Sequence, residues 1–167
     1  VLIIILKKKI FMKFSTILNN NRKEFFMKFF IVSILSFIFT SAAFSKEIVI
    51  DMLNKRDDGQ RMVYSKDIAK IAVGDVIKWV PKDGGHNVEF VAGPNGFEIP
   101  PKSYLNKEVT MQFDTPGIYL YICSPHSIMG MIGIVVVGDD TSNKDAIASY
   151  DVGGKGSRKL KKLLDDI

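Results

Sequence analysis

Apolar and polar residues alternate in several short stretches between residues 47 and 137, a pattern typical of half-buried β-strands. The alternation is cleanest over 107–113, where Val109, Met111 and Phe113 are the apolar positions. Turn signals such as Gly74-Asp75 and Pro116-Gly117 separate the stretches. The predicted strands are 47–53, 62–64, 68–73, 76–80, 107–113, 118–123 and 131–137. Short strands at this spacing predict a mainly β protein, a β-sandwich.

The pattern changes after Gly138. Residues 140–143 offer N-caps for a helix that continues to about Tyr150. Glycines at 153, 154 and 156 are predicted to interrupt the chain before a second, amphipathic helix over 157–166. Its apolar side holds Leu160, Leu163, Leu164 and Ile167. The stretch 93–105, which has three prolines, is predicted to be an irregular connection between strands.

The first 45 residues have the composition of an export signal. Met27-Lys28 precedes the apolar run 29–39, and small residues follow at 40–45, so cleavage is expected after Ser45. The run is shorter than the roughly 20 residues of a membrane span, although an uncleaved N-terminal anchor is the alternative. Residues 1–26 precede this complete signal. We interpret them as the result of a start site assigned too far upstream.

The charge distribution argues against a nucleic-acid partner. The formal charge of +5 and the pI near 9.2 would favour an anionic partner. Residues 1–45, however, hold seven of the 23 basic residues and one of the 18 acidic ones, which leaves 16 against 17 in the rest, about −1. The basic excess therefore belongs to the predicted signal segment and not to the mature domain.

The chain has one cysteine, Cys123. An exported domain with one cysteine cannot form an internal disulfide, and a free thiol is a liability in an oxidising compartment. The sequence therefore favours a metal ligand or a nucleophile at this position over a packing role.

Both histidines of the mature part fit a metal site with that cysteine. The segment 123–131 brings Cys123, His126 and the thioethers of Met129 and Met131 into one loop between two strands. His86 comes from a separate glycine-containing loop, 83–87. Two imidazoles, a thiolate and a weak axial thioether form the donor set of blue-copper electron-transfer centres. The sequence therefore predicts one copper ion.

Other sites fit the sequence less well. Two His and one Cys could hold zinc, but the methionine would then have no role and no carboxylate is close in sequence. A Cys-His hydrolase normally takes its pair from separate parts of the chain and needs an oxyanion hole. A c-type haem needs a Cys-x-x-Cys-His motif, which is absent from the sequence. A copper carrier or buffer would favour an open site rich in Met or His.

The motifs together resemble those of pseudoazurins, a branch of the cupredoxin family, over nearly all of 47–167. The matching segments are 52–55, 73–75, 85–88, 116–119, Cys123-x-Pro125-His126 and 129–131. Plastocyanins share the Cys-x₂-His-x₄-Met spacing. The two predicted helices after Gly138 favour pseudoazurins, because plastocyanins end with the last strand.

The resemblance implies a two-sheet Greek-key sandwich over 46–138, a helical extension over 139–167, and an electron-transfer protein that is not an enzyme. It implies that Met131 is the axial ligand, and that Asn87 braces the Cys loop by bonding to Ser124. The residues around the ligands would be Asn87, Ser124, Pro125 and Met62, the last packing near an exposed His126. The implied role is a monomeric periplasmic carrier that passes electrons in transient complexes to copper or haem reductases, such as nitrite reductase, or to cytochromes c.

Docking is expected at the exposed ligand. Pro125, Ile128 and Met129 would form an apolar patch around His126, as suits weak redox complexes. Four lysines are predicted near the copper end: Lys55, Lys82, Lys102 and Lys107. Acidic residues concentrate towards the C-terminus. The two groups of charges would give the domain a dipole with its positive end at the copper site, which would favour an acidic partner. The alternative is that these lysines are ordinary solvated surface charges.

Two features depart from relatives: Ile122, where some have Lys, and the proline-rich segment 94–101.

Overall fold

The structure is a computed structural model that describes residues 45–167. The predicted signal peptide over 27–45, apart from its last residue, and the start-site interpretation of 1–26 lie outside the described residues. Eight strands form two sheets: β1 (Glu47–Lys55), β2 (Arg61–Tyr64), β3 (Ile68–Ile71), β4 (Val76–Pro81), β5 (Glu89–Ala92), β6 (Val109–Gln112), β7 (Gly117–Ile122) and β8 (Ile132–Val137). Two helices follow: α1 (Lys144–Ala148) and α2 (Gly154–Asp165).

The two sheets have four strands each, in the orders β2-β1-β4-β6 and β3-β8-β7-β5. β1 pairs in parallel with β4, and β3 pairs in parallel with β8, whereas the other neighbours are antiparallel. This arrangement confirms the predicted class, a mainly β two-sheet sandwich with two C-terminal helices. Among residues 45–167, no helix is both long enough and apolar enough to span a bilayer.

An aromatic core joins the sheets. Trp79 on β4 lies edge-on to Tyr121 on β7, with ring centroids 5.2 Å apart, and edge-on to Phe90 on β5 at 5.6 Å. Cys123 and Met131 belong to the same buried cluster. These two predicted ligands are therefore held in the core, because close-packed interiors permit little side-chain movement.

A second buried cluster explains the two helices. The outer face of β7 and β8 packs against Ile147 of α1 and against Leu160, Leu163 and Leu164 of α2. Every residue of β8 is buried as a result. This is why 132–137 is a continuous apolar run rather than an alternating one.

The structure corrects three details of the sequence interpretation. β5, which was not predicted, is a four-residue strand that pairs with β7 through an irregular register at Phe90 and Ala92. Helix α2 begins at Gly154, so Gly156 lies inside the helix that it was expected to precede, whereas Gly153 and Gly154 have left-handed φ values of +85° and +54° at its start. Helix α1 has only five residues and no side-chain N-cap. The Asn143 amide instead binds both backbone polar groups of Ile118, at 2.9 and 2.8 Å.

Candidate metal centre

Strand ends and one tight loop position the four predicted ligands. His86 follows β4, Cys123 follows β7, and Met131 immediately precedes β8. The Cys123 N–H donates to the Met131 carbonyl at 3.0 Å, which continues the β7–β8 pairing into the loop. His126 precedes a short 3₁₀ helix, Ser127–Met129. The ends of the loop are therefore fixed by the same hydrogen bonding that holds the two strands together.

The folded chain brings the histidines and the cysteine together. The ligand atoms of His86, Cys123 and His126 all lie within 4.8 Å of one another. Cys123 Sγ is 3.8 Å from His86 Nδ1 and 3.5 Å from His126 Nδ1. His86 and Cys123 are 37 positions apart in the sequence, yet the fold brings His86 Nδ1 and Cys123 Sγ to the same small space.

The two sulfur–nitrogen separations fit a metal bound by the Cys123 sulfur and an imidazole nitrogen of each histidine. With metal–ligand bonds of about 2.3 Å to sulfur and 2.0 Å to nitrogen, a tetrahedral or trigonal arrangement places sulfur and nitrogen about 3.5 to 3.7 Å apart. The donors are soft thiolate and imidazole, which suit copper. The residues present therefore fit the ion that the sequence predicts.

Burial adds an electrostatic reason for a cation. Cys123, His86 and Met131 are fully buried, whereas His126 is half-buried. Burial raises the pKa of the Cys123 thiol and, with the nearby His126, lowers the pKa of His86. The lowered pKa favours the neutral form of His86, which is the form that binds a metal. The Cys123 thiolate would need a bound cation to offset its desolvation.

A chain of hydrogen bonds orients the His86 ring. Its Nε2 lies 3.0 Å from Asn54 Oδ1, an acceptor, so Nε2 carries the proton and Nδ1 is left free to face the sulfur. Asn54 is held in turn, because its backbone N–H donates to Asp83 Oδ2 at 2.6 Å. Asp83 donates its own N–H to the Met52 carbonyl. The His86 tautomer is therefore set by residues of β1 and of the loop after β4.

Asn106 holds the backbone on the other side of His86. Its Oδ1 accepts the Gly85 N–H at 2.6 Å, and its own N–H donates to the His86 carbonyl at 2.8 Å. Asn106 has φ +60°, a left-handed conformation that Asn tolerates better than most residues. The loop carrying His86 is therefore fixed from a segment about 20 residues further along the chain.

Asn87 joins the His86 loop to the Cys123 loop. Its Oδ1 accepts the Ser124 N–H at 2.8 Å, and its Nδ2 donates to Ser124 Oγ at 2.8 Å and to the Ser103 carbonyl at 3.2 Å. The contact between Asn87 and Ser124 that the resemblance implied is thus present in the structure. Ser124 Oγ also donates to Glu89 Oε2 at 2.5 Å.

Three of the predicted docking residues lie within three positions of the half-buried His126 in the sequence. Pro125, Ile128 and Met129 are exposed, the last two by 62% and 49%. Met62 is half-buried, has φ +50°, and packs against the cluster that contains Cys123 and Met131. Its proximity to His126 stays a prediction.

All four predicted lysines are exposed. Lys102 lines a shallow hollow with Ser124 and Pro125. Lys55 and Lys107 directly follow Asn54 and Asn106, the two residues that hold His86. Lys82 precedes Asp83, which binds Asn54.

Four residues around the site were not assigned roles from the sequence, namely Asn54, Asp83, Glu89 and Asn106. Asn54 lay within one of the quoted pseudoazurin motifs, 52–55, which was the only signal for it. The other three act through partners far along the chain or through backbone atoms, so their spacing carries no recognisable pattern.

Comparison with known proteins agrees with this site. Residues 50–138 match the family described as copper binding proteins, plastocyanin/azurin family. The chain is 35% identical to a pseudoazurin of Methylorubrum extorquens, with 77% of this chain and 86% of that protein aligned. It is 38% identical to a pseudoazurin of Paracoccus pantotrophus, over 66% and 77% of the two chains. The solved pseudoazurin of Hyphomicrobium denitrificans superposes with a TM-score of 0.68 at 35% identity, covering 72% of this chain and 98% of that one.

The chain therefore belongs to the plastocyanin/azurin family of copper-binding proteins and, within it, to the pseudoazurins. It is a cupredoxin electron carrier whose cofactor is one copper ion. The predicted fold, family and cofactor are thus confirmed.

Proposed function

We propose that this chain is a periplasmic carrier of single electrons, in which His86, Cys123, His126 and Met131 hold the copper. The observation that carries the proposal is the convergence of three donor atoms within 4.8 Å, with two of the three residues fully buried and His126 half-buried. Bound copper supplies a one-electron Cu(II)/Cu(I) couple. No bond in a substrate is made or broken, so the chain is not an enzyme.

The protein's contribution is to hold the donors still. Cys123 and Met131 are fixed by a strand pair, His86 by Asn54 and Asn106, and the two loops are joined through Asn87. Donors that are already in place need little rearrangement when the charge at the site changes. His86, Cys123 and Met131 are buried, so the half-buried His126 is the ligand nearest to solvent and the route we propose for electrons to partners.

Burial favours Met131 over Met129 as the axial thioether. Met131 is fully buried in the cluster that contains Cys123, whereas Met129 is 49% exposed. The His126 carbonyl accepts the N–H groups of both residues, so both follow closely on the imidazole ligand. An exposed thioether on the outer side of the loop is a weaker candidate for a buried centre.

Replacing the axial ligand should tune the site. We expect Met131→Gln to shift both the reduction potential and the visible spectrum, because the axial donor sets the potential of such centres. Met129→Leu, the matched variant in the same loop, should change either quantity much less. Voltammetry and absorption spectra of the two copper-loaded variants would decide. If Met129→Leu had the larger effect, Met129 would be the axial ligand.

The proposed partners are periplasmic redox proteins such as nitrite reductase, other copper or haem reductases, and cytochromes c. Family resemblance supports these classes, and the predicted signal over 27–45 supports the location. The exposed Ile128 and Met129 beside His126 suit a brief, partly dry encounter of small area. The exposed lysines near the residues that hold His86 would steer an acidic partner to this end.

Stopped-flow electron transfer from the reduced copper protein to an acidic one-electron acceptor tests the proposal. We expect one electron per chain, at a rate that falls as ionic strength rises, because salt screens the attraction between the lysines and the acceptor. Lys55→Glu and Lys82→Glu should lower the rate further at low salt. Lys161→Glu, an exposed lysine in the second half of α2, is the matched control and should have less effect.

The outcomes separate the two parts of the proposal. An absence of electron transfer from the copper-loaded protein would contradict the carrier function. A normal rate that does not depend on salt would leave the apolar residues as the docking surface and remove the lysines from it.

A further inference from the structure

The first turn of α2 packs directly on the loop that carries the ligands. Gly156 is buried, and a Cβ atom placed on it would lie 2.5 Å from the Ser127 carbonyl oxygen and 2.5 Å from Val152 Cγ1. A Cβ on Gly154 would lie 2.7 Å from the Ile128 carbonyl oxygen. Real Cβ atoms do not approach so closely. The two glycines therefore allow the helix backbone to touch the loop backbone.

Lys159, one turn further along α2, packs on the same loop with its hydrocarbon stem. A Cβ atom placed on Gly130 would lie 3.8 Å from Lys155 Cβ and 3.9 Å from Lys159 Cδ, so the stems of both lysines lie next to Gly130. The ammonium group continues past the loop to Asp67, with Nζ 2.6 Å from Oδ1. Asp67 also binds Arg56 at 3.1 Å. Lys159 therefore ties the helix to the β-sandwich while its stem covers Gly130.

These contacts fall between two of the copper ligands. The Ser127 carbonyl, which Gly156 approaches, accepts the Gly130 N–H at 2.9 Å. Gly130 adopts φ +104°, and its neighbour is Met131. One side of the loop is thus held by the pairing of Cys123 with Met131, and the other side by the helix.

We propose that α2 positions the copper ligands, with Gly156 and Lys159 as positioning residues that hold His126 and Met131 in place before the metal binds. The inference rests on the proposed copper-carrier function. Its alternative is that α2 serves only to cover the apolar outer face of β7 and β8. The covering residues Leu160, Leu163 and Leu164 all follow Gly156 along the helix, and Leu163 and Leu164 lie in its last turns, away from the glycine contacts.

That separation allows a matched experiment. Gly156→Ala inserts a methyl group against the Ser127 carbonyl, whereas Leu163→Ala removes buried apolar volume from the far end of the same helix. Two quantities are measured: the visible spectrum of the copper protein, and the amide hydrogen exchange of Gly130 and Met131 in the metal-free protein. The second readout does not depend on copper.

We expect Gly156→Ala to shift the charge-transfer band and to speed exchange at the two amides by about tenfold, since a displaced loop opens more readily. Leu163→Ala should lower the melting temperature, leave the band in place, and leave those amides slow relative to the rest of the protein. If the two variants behave alike, α2 is only a cover and the proposal is wrong.

Two substitutions of Lys159 provide a second test should Gly156→Ala not fold. Lys159→Met keeps a stem against Gly130 and loses the ion pair, whereas Lys159→Ala loses both. Positioning predicts faster exchange at Gly130 in Lys159→Ala than in Lys159→Met, and equal rates in the two variants would contradict it. A wild-type protein that gave no blue copper spectrum would count against the proposed function. The exchange rates of the metal-free variants would still show whether α2 holds the loop in place.

Discussion

Cys123→Ser is expected to abolish the colour of the copper protein. A short bond between copper and a thiolate produces an intense charge-transfer band near the red end of the visible. Cys123 is the only thiol in the sequence and faces both imidazole Nδ1 atoms at 3.8 and 3.5 Å. A serine hydroxyl is not a soft donor and does not ionise readily, so it cannot replace the thiolate.

Absorption spectra of the Cu(II)-loaded proteins, with copper measured separately, would check this result. Ser127→Ala lies in the same loop and leaves Cys123 untouched, so it should keep the band. Retention of the histidines would still allow Cys123→Ser to bind some copper without colour. A colourless wild type that contains Cu(II) would contradict the blue-copper assignment itself.

The ligand set could be predicted from the sequence because it is scarce and partly local. Two histidines and one cysteine in the predicted mature part leave few combinations, and Cys123, His126 and Met131 share one nine-residue loop. His86 was the only long-range member, and it followed from there being no other imidazole. The choice between Met129 and Met131 came from resemblance, and burial in the structure now favours Met131 independently.

The partners that hold the ligands could not be predicted in the same way. Asn54 reaches His86 across 32 positions, and Asn106 reaches Gly85 across 21. Such contacts depend on how β1 and the connection before β6 pack against the His86 loop. The local pattern of apolar and polar residues does not predict this packing. Asn87 was identified only because its position matched a family motif.

The glycines before α2 show how a local rule can fail. Gly disfavours a helix interior by about 1 kcal/mol relative to Ala, so the sequence predicted a break at 153–156. Gly153 and Gly154 do interrupt the chain, with φ +85° and +54°. Gly156 instead lies within the helix, where a Cβ atom would lie 2.5 Å from the Ser127 carbonyl oxygen. The close contact between the helix backbone and the loop backbone requires glycine at this position, despite the low helix propensity of glycine.

Asn87→Ala is expected to destabilise the protein strongly and to loosen the copper loop. Asn87 is 2% exposed, and its amide satisfies the Ser124 N–H, Ser124 Oγ and the Ser103 carbonyl. Alanine leaves those groups without their partner in a confined space, at a cost of about 2 kcal/mol or more in the free energy of unfolding. For a domain of this size, that corresponds to a fall of roughly 8 °C in melting temperature.

Ser124→Ala is the matched control for this effect. It removes the hydroxyl that Asn87 and Glu89 share but keeps the Ser124 backbone N–H and its bond to Asn87 Oδ1. We therefore expect Ser124→Ala to lose less stability than Asn87→Ala and to release copper to a chelator more slowly. Thermal melts and chelator competition on both variants measure the difference. If Ser124→Ala were as damaging, the hydroxyl and not the Asn87 amide would be what joins the His86 loop to the Cys123 loop.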